Sequence, residues 1–185
     1  MGRVKKVSRI QAKAREAQSA FERADADWEA GRLKAAFKGF KELAEAGDVG
    51  CCVNVGYFFD NGIGTHKNRK QALRWYRRAY AGGHSSGAIN IGIHYRQRDS
   101  AKTALKWFRR AMDLGDDSGA LQTAMLLMKS SRNSRWVEEL LKVVQQSDRV
   151  SVAENEEADR LLKSLTPRKR LASANRDSKA HKLRR

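Results

Sequence analysis

The sequence predicts an all-α protein: a right-handed α-α superhelix, a solenoid of helix-turn-helix repeats. Three observations predict it. The stretch Gln71-Ala-Leu-Arg-Trp-Tyr-Arg-Arg-Ala-Tyr-Ala-Gly-Gly83 is restated as Thr103-Ala-Leu-Lys-Trp-Phe-Arg-Arg-Ala-Met-Asp-Leu-Gly115, with Trp75/Trp107, Ala79/Ala111 and Gly83/Gly115 each 32 residues apart. A fainter copy, Ala36-Phe-Lys-Gly-Phe-Lys-Glu-Leu-Ala-Glu-Ala-Gly47, begins 36 residues before Ala72. A period in the thirties is that of stacked helical hairpins. Finally, a single proline, abundant Ala, Arg and Lys, and few β-branched runs favour helix over strand.

The elements follow in order. Val7, Ile10, Ala14, Ala17, Phe21, Ala24 and Trp28 alternate spacings of three and four, an apolar stripe on one long helix that ends before Gly31. Residues 1–31 therefore form a basic amphipathic helix, the first of the array, whose early turns have no evident intramolecular partner and suit docking or dimerisation. Residues 32–148 form the repeat array. Its second helix buries Leu33, Ala36, Phe37, Phe40, Leu43 and Ala44, and Gly47 supplies the left-handed residue that ends it. The next units open with Gly50-Cys-Cys-Val-Asn-Val-Gly56, Ser86-Gly-Ala-Ile-Asn-Ile-Gly92 and Ser118-Gly-Ala-Leu-Gln-Thr-Ala124. A glycine inside a helix costs ~1 kcal/mol, so its recurrence at Gly56 and Gly92 needs a packing reason. The expectation is that Trp75 or Trp107 lies against the bare backbone there. Trp136 opens a fourth second helix, continued by Val137, Leu140, Leu141 and Val144. Ser151 to Glu154 fits a capping box, and Ala158, Leu161, Leu162 and Leu165 make a stripe, so residues 149–166 are expected to be a capping helix. Residues 167–185 have almost no apolar content and read as a disordered basic tail.

These residues carry a family resemblance. The pattern Ala/Cys-x-Asn-Ile/Val-Gly-x-x-Tyr/Phe, then Asn61-Gly-Ile-Gly64, then Lys-x-Ala-Leu-x-Trp-Tyr-Arg-Arg-Ala with a closing glycine, resembles the Sel-one-like repeats, relatives of the tetratricopeptide solenoids. The resemblance covers Gly50 to Asp117 strongly, Trp28 to Asp48 and Ser118 to Asp148 in part, and neither tail. It implies an adaptor that holds proteins together. The chain departs from the pattern in its short loop Arg96-Gln-Arg-Asp-Ser100, in Gly39-Phe40 where a Trp/Tyr pair is usual, and in Ala81-Gly82 where Glu-Gln is usual.

Composition narrows the function. The 185 residues carry a net charge of +17, which draws the protein toward anionic partners: nucleic acid, anionic lipid or an acidic protein surface. The basic residues concentrate at the two ends, while Phe21 to Asp48 is slightly acidic. Adjacent Cys51 and Cys52 are poorly placed for a mutual disulfide and read as buried, reduced residues of a cytoplasmic protein. No apolar run approaches the ~18 residues of a membrane span. The N-terminus has no apolar core of a secretory signal; it reads as a helix extension, with a mitochondrial transit peptide as the alternative.

No catalytic constellation is expected. Gly83-His-Ser-Ser-Gly87 has the outline of a hydrolase nucleophile motif, but that motif needs a strand-to-helix turn, and this one lies between helices. His66, His84, His94 and His181 form no metal spacing with the cysteines, and Gly62-Ile-Gly64 lacks the Gly-Lys-Ser/Thr of a phosphate loop. Cofactors, metals and small-molecule substrates are therefore not anticipated. Two recurring surface features remain. The first is an amide series, Asn54, Asn90 and Gln122, with Phe58 and His94 four residues after the asparagines; on helices lining a concave groove, amides either bond a peptide backbone or serve the fold itself. The second is a basic stripe: Lys70, Arg74, Arg77 and Arg78, repeated as Lys102, Lys106, Arg109 and Arg110. Either it is a solvated face or it grips phosphates or carboxylates. The expected function is a non-enzymatic adaptor for a protein partner, with sequence-independent nucleic-acid binding as the alternative.

Overall fold

The computed structural model describes residues 2–129 and 134–165, with side chains from Ile10 onward and Ser134's excepted. The expected basic tail, residues 167–185, and the side chain of Val7 lie outside them. Among the described residues there are nine helices and no strand. They are α1 Gly2–Glu29, α2 Leu33–Glu45, α3 Val49–Asn61, α4 Arg69–Ala81, α5 Ser85–Arg96, α6 Ala101–Asp113, α7 Ser118–Lys129 and α8 Ser134–Gln146, followed by α9, residues 152–165. The chain forms two compact units, one ending at Ile91 and the other beginning at Gly92.

In the first unit, α1 and α2 pair, as do α3 and α4. Ala36, Phe40, Leu43 and Ala44 supply the buried face of α2, the helical spacing that an amphipathic sequence dictates. The residue that replaces the expected tryptophan, Gly39, has its own reason. A Cβ there would stand 2.8 Å from Cβ of Ala24, so α1 and α2 approach closely because both positions are small. The neighbouring Phe40 fills the aromatic place, with Phe21 edge-on at 5.7 Å. Trp28 and Phe37 pack against Phe58, and Phe59 against Phe37, at centroid distances of 5.0 to 5.8 Å, an arrangement that adds directional ring contacts to buried area. On α1 the predicted stripe is buried only at its C-terminal end. Ala24 is in the core, whereas Ile10 is 60% exposed and Ala14 and Ala17 are open to solvent.

The caps follow from short polar side chains at helix starts. Asp48 accepts from Cys51 N–H at 2.8 Å to start α3, and Asn68 accepts from Gln71 N–H at 3.1 Å to start α4. Gly62 takes the left-handed conformation that ends α3. Gly64, also left-handed, sits so close to the Leu33 carbonyl that no side chain would fit.

Glycines within the helices correct one expectation. A Cβ on Gly56 would run into the ring of Tyr76, and within the second unit a Cβ on Gly92 would run into that of Phe108. The ring that covers the bare backbone is thus the residue after each tryptophan. Tyr76 and Phe108 are 1% and 0% exposed, while Trp75 and Trp107 stay half-buried. One residue further along a helix rotates a side chain by about 100°, which moves the tryptophan off the packing line. In the third copy both partners change together: Ala124 replaces the glycine, and Val137, after Trp136, replaces the ring. Gly87 and Gly119 serve a different approach, lying against the backbones of α4 and α6 near Tyr76 and Phe108 respectively.

The second unit has a core of Ala120, Leu121, Ala124, Val137, Leu140, Leu141 and Val144, joined by Ala158 and Leu165 from α9, with Leu161 and Leu162 packed against it. The capping box is formed: Ser151 N–H donates to Glu154 Oε2 at 2.9 Å, and Glu154 N–H donates to Ser151 Oγ at 3.3 Å. Arg149 reaches back to the Gly115 carbonyl at 3.0 Å.

Candidate functional site

Residue identity on the second helix of each hairpin decides where charge is left over. Helix α4 contains no acidic residue, and α6 has only Asp113 in its last turn. Lys70, Arg74, Arg77 and Arg78 are all exposed, as are Lys102, Lys106, Arg109 and Arg110. Among the described residues none of these eight forms an ion pair; the cation of α4 that does is Arg69, 3.9 Å from Asp60. Helices α2 and α8 differ. On α2, Lys38 pairs with Glu42 and Lys41 with Glu45 one turn on, and on α8 Arg135 and Lys142 pair with Glu139 and Glu138. Like charges spaced four apart destabilise a helix by ~0.2–0.5 kcal/mol a pair, so α4 and α6 hold their cations against local stability.

The tryptophans that left the packing line take up a second task. The Arg78 guanidinium lies 5.3 Å from the Trp75 ring centre and that of Arg110 lies 4.4 Å from Trp107. Stacking over an indole fixes the guanidinium plane and leaves its N–H edge open. This pairing was missed in the sequence. Its signal is Trp-x-x-Arg, which places the two residues on one helix face in both copies.

The amide series divides. Asn90 Nδ2 donates to the Ser86 carbonyl of its own helix at 2.9 Å, and Gln122 Oε1 accepts from Arg96 at 2.6 Å. The Asn54 side chain makes no hydrogen bond among the described residues. Phe58 and His94, grouped with the amides by spacing, are buried, at 2% and 7% exposure. Asn54 opens instead onto a cavity of about 200 Å³ lined by Asp25, Trp28, Phe40, Tyr57 and Phe58.

The thiols are inert by environment. Burial, aided by the Asp48 carboxylate, pushes Cys51 up to about 12, and burial raises Cys52 as well. A thiol held protonated is a poor nucleophile. Ser85 is the first residue of α5, after the short turn that follows α4, and not on a strand-to-helix elbow. Among the described residues no three His, Cys, Asp or Glu side chains gather to hold a metal, and no helix is long and apolar enough to cross a membrane.

Helical hairpins with this glycine-and-ring packing define a repeat-scaffold class, and comparison with known proteins identifies it. The Sel1 repeat model matches residues 49–84 and 90–116. These two stretches are Sel1 repeats, and the described residues have an all-α fold of the helical-repeat solenoid type. Among solved structures it resembles a Sel1 repeat protein from Oxalobacter formigenes, at 22% identity and TM-score 0.52, covering 62% of this chain and 51% of that one. It also resembles c5321, a protective antigen of uropathogenic Escherichia coli with an SLR fold, at 19% identity and TM-score 0.56, covering 73% of this chain and 31% of that one. A tetratricopeptide repeat protein from Parabacteroides merdae matches at 14% identity and TM-score 0.57, over 83% of this chain and 61% of that one. The chain thus spans about half the length of the first of these and under a third of the second. No curated protein matches it. Repeats of this kind generally serve as non-catalytic scaffolds for protein interaction.

Proposed function

We propose that the protein is a non-enzymatic, cytoplasmic adaptor that holds an acidic protein partner against the exposed basic faces of α4 and α6. One observation supports this above the rest: two equivalent sets of four exposed cations without an acid partner among the described residues, in contrast to Lys38 and Lys41 of α2 and Arg135 and Lys142 of α8, which are paired. A partner's carboxylates would relieve the like-charge repulsion, and the Trp-stacked Arg78 and Arg110 would grip them bidentately.

The same faces favour a second reading, sequence-independent binding of nucleic acid, since phosphates answer the same cations. Capture from a native lysate at low salt, with and without nuclease, distinguishes them. The adaptor reading expects wild type to retain a protein reproducibly after nuclease treatment, and the triple variant K70E/R74E/R77E to lose it. Equal retention by both, or none by either, overturns it. Failure to bind RNA or DNA even at low salt removes the second reading.

A further inference from the structure

An adaptor joins partners through more than one surface, and the first unit has a second one of opposite character. We propose that the cavity between α1 and α3 seats an arginine side chain from an extended peptide segment of a protein partner. The proposal deepens the adaptor reading but uses none of the cations of α4 and α6.

The walls come first. The rings of Trp28 and Tyr57 stand 6.3 Å apart at 70°, two aromatic planes meeting nearly at a corner, with buried Phe40 and Phe58 beneath. Tyr57 is 46% exposed, a large apolar surface left open to water. Repeat architecture does not account for it, because the equivalent places in the following units hold Ile93 and Met125. Faces of aromatic rings carry negative potential and attract cations, most strongly for tryptophan.

The rim supplies charge. Asp25 is exposed, and among the described residues no cation pairs with it. Asp27, two residues on, is paired with Arg32 at 2.6 Å, whereas Asp25 lines the cavity with its carboxylate unpaired. Asn54 adds an amide that its counterpart Asn90 directs to its own helix. The lining is therefore two aromatic faces, one carboxylate and one free amide.

That set selects the ligand. A carboxylate at the mouth repels phosphates and acids. A neutral apolar group would leave Asp25 and Asn54 unanswered. A guanidinium satisfies all of them: its plane stacks on a ring while its N–H edge donates to the Asp25 carboxylate and the Asn54 carbonyl. At about 200 Å³ the cavity falls below the ~300 Å³ at which small-molecule sites begin, and it suits the end of one long side chain.

The test is a titration of the full, isotope-labelled chain with the pentapeptide acetyl-Ala-Ala-Arg-Ala-Ala-amide, following the indole N–H resonance of Trp28. The same peptide with glutamine in place of arginine is the control. The arginine peptide is expected to shift Trp28 saturably and to leave the Trp107 indole in place, with binding weakened by salt. Asp25→Asn, at an exposed position, is expected to lower affinity at least tenfold with an unchanged melting temperature, and Tyr57→Leu to lower it likewise. Equal shifts from the glutamine peptide, or undiminished binding by Asp25→Asn, overturn the proposal. The two readings fail separately. Partner capture that survives Asp25→Asn but not K70E/R74E/R77E leaves the adaptor standing without this site. A seated arginine peptide with no partner captured by either surface does the reverse.

Discussion

Gly92 exchanges helix propensity for contact: alanine there would recover about 1 kcal/mol of intrinsic preference but drive a Cβ into the Phe108 ring. Overpacking of this kind costs about 1–3 kcal/mol, and the ring, buried on every side, has nowhere to turn. Gly92→Ala is therefore expected to destabilise by up to about 2 kcal/mol net in urea unfolding. The double variant Gly92→Ala, Phe108→Val reproduces the Ala124 and Val137 combination of the next hairpin. It is expected to show a favourable coupling, less destabilised than the sum of its single changes. Cys51 and Cys52 offer a second check. With Cys51 raised to about 12 by burial and the Asp48 carboxylate, an aromatic disulfide reagent is expected to leave both thiols untouched in the native protein at neutral pH. Both should react on unfolding; rapid native labelling would contradict the burial.

At the scale of elements, α9 opens with the Ser151–Glu154 box and meets α7 where the Ser118 side chain bonds Glu154. Burial acts to raise the Glu154 carboxyl, but hydrogen bonds from the Ser151 backbone and side chain and from the Ser118 side chain outweigh it and hold it below the usual range. A carboxyl depressed in the folded state stabilises above its unfolded value, about 4.3, and that stabilisation is lost as pH falls through the folded value. Unfolding midpoints measured across acidic pH are expected to fall more steeply for wild type than for Glu154→Gln. Ser151→Ala is expected to cost about 1 kcal/mol at neutral pH. The hairpins themselves were legible in the sequence, because stacking demands the same small and aromatic residues every 32 to 36 positions. Which of two adjacent aromatics faces the glycine was not, since Trp75 and Tyr76 obey the same period and differ only in rotation about the helix. Asn54 and Asn90 were legible as equivalents but not as opposites. Asn90 folds back onto the Ser86 carbonyl, and the choice between that bond and an open amide is made by local rotamers. The cavity was illegible for another reason: Asp25 and Trp28 lie outside the strong repeats, and only tertiary packing sets them beside Tyr57.

Across the whole molecule the governing quantity is charge. An excess of +17 is spread over helices that neutralise it, such as α2 and α8, and helices that do not, α4 and α6. Binding that releases counterions weakens steeply with salt, and exposed pairs made one at a time contribute little. The unpaired faces matter as sets of four. The measurement that tests this most directly is the affinity of the captured protein partner for wild type and for K70E/R74E/R77E, by calorimetry from low to physiological salt. The account predicts wild-type affinity that falls steeply with salt, and a variant at least tenfold weaker at low salt with a shallower dependence. A variant that binds as tightly as wild type, with the same salt dependence, would contradict it.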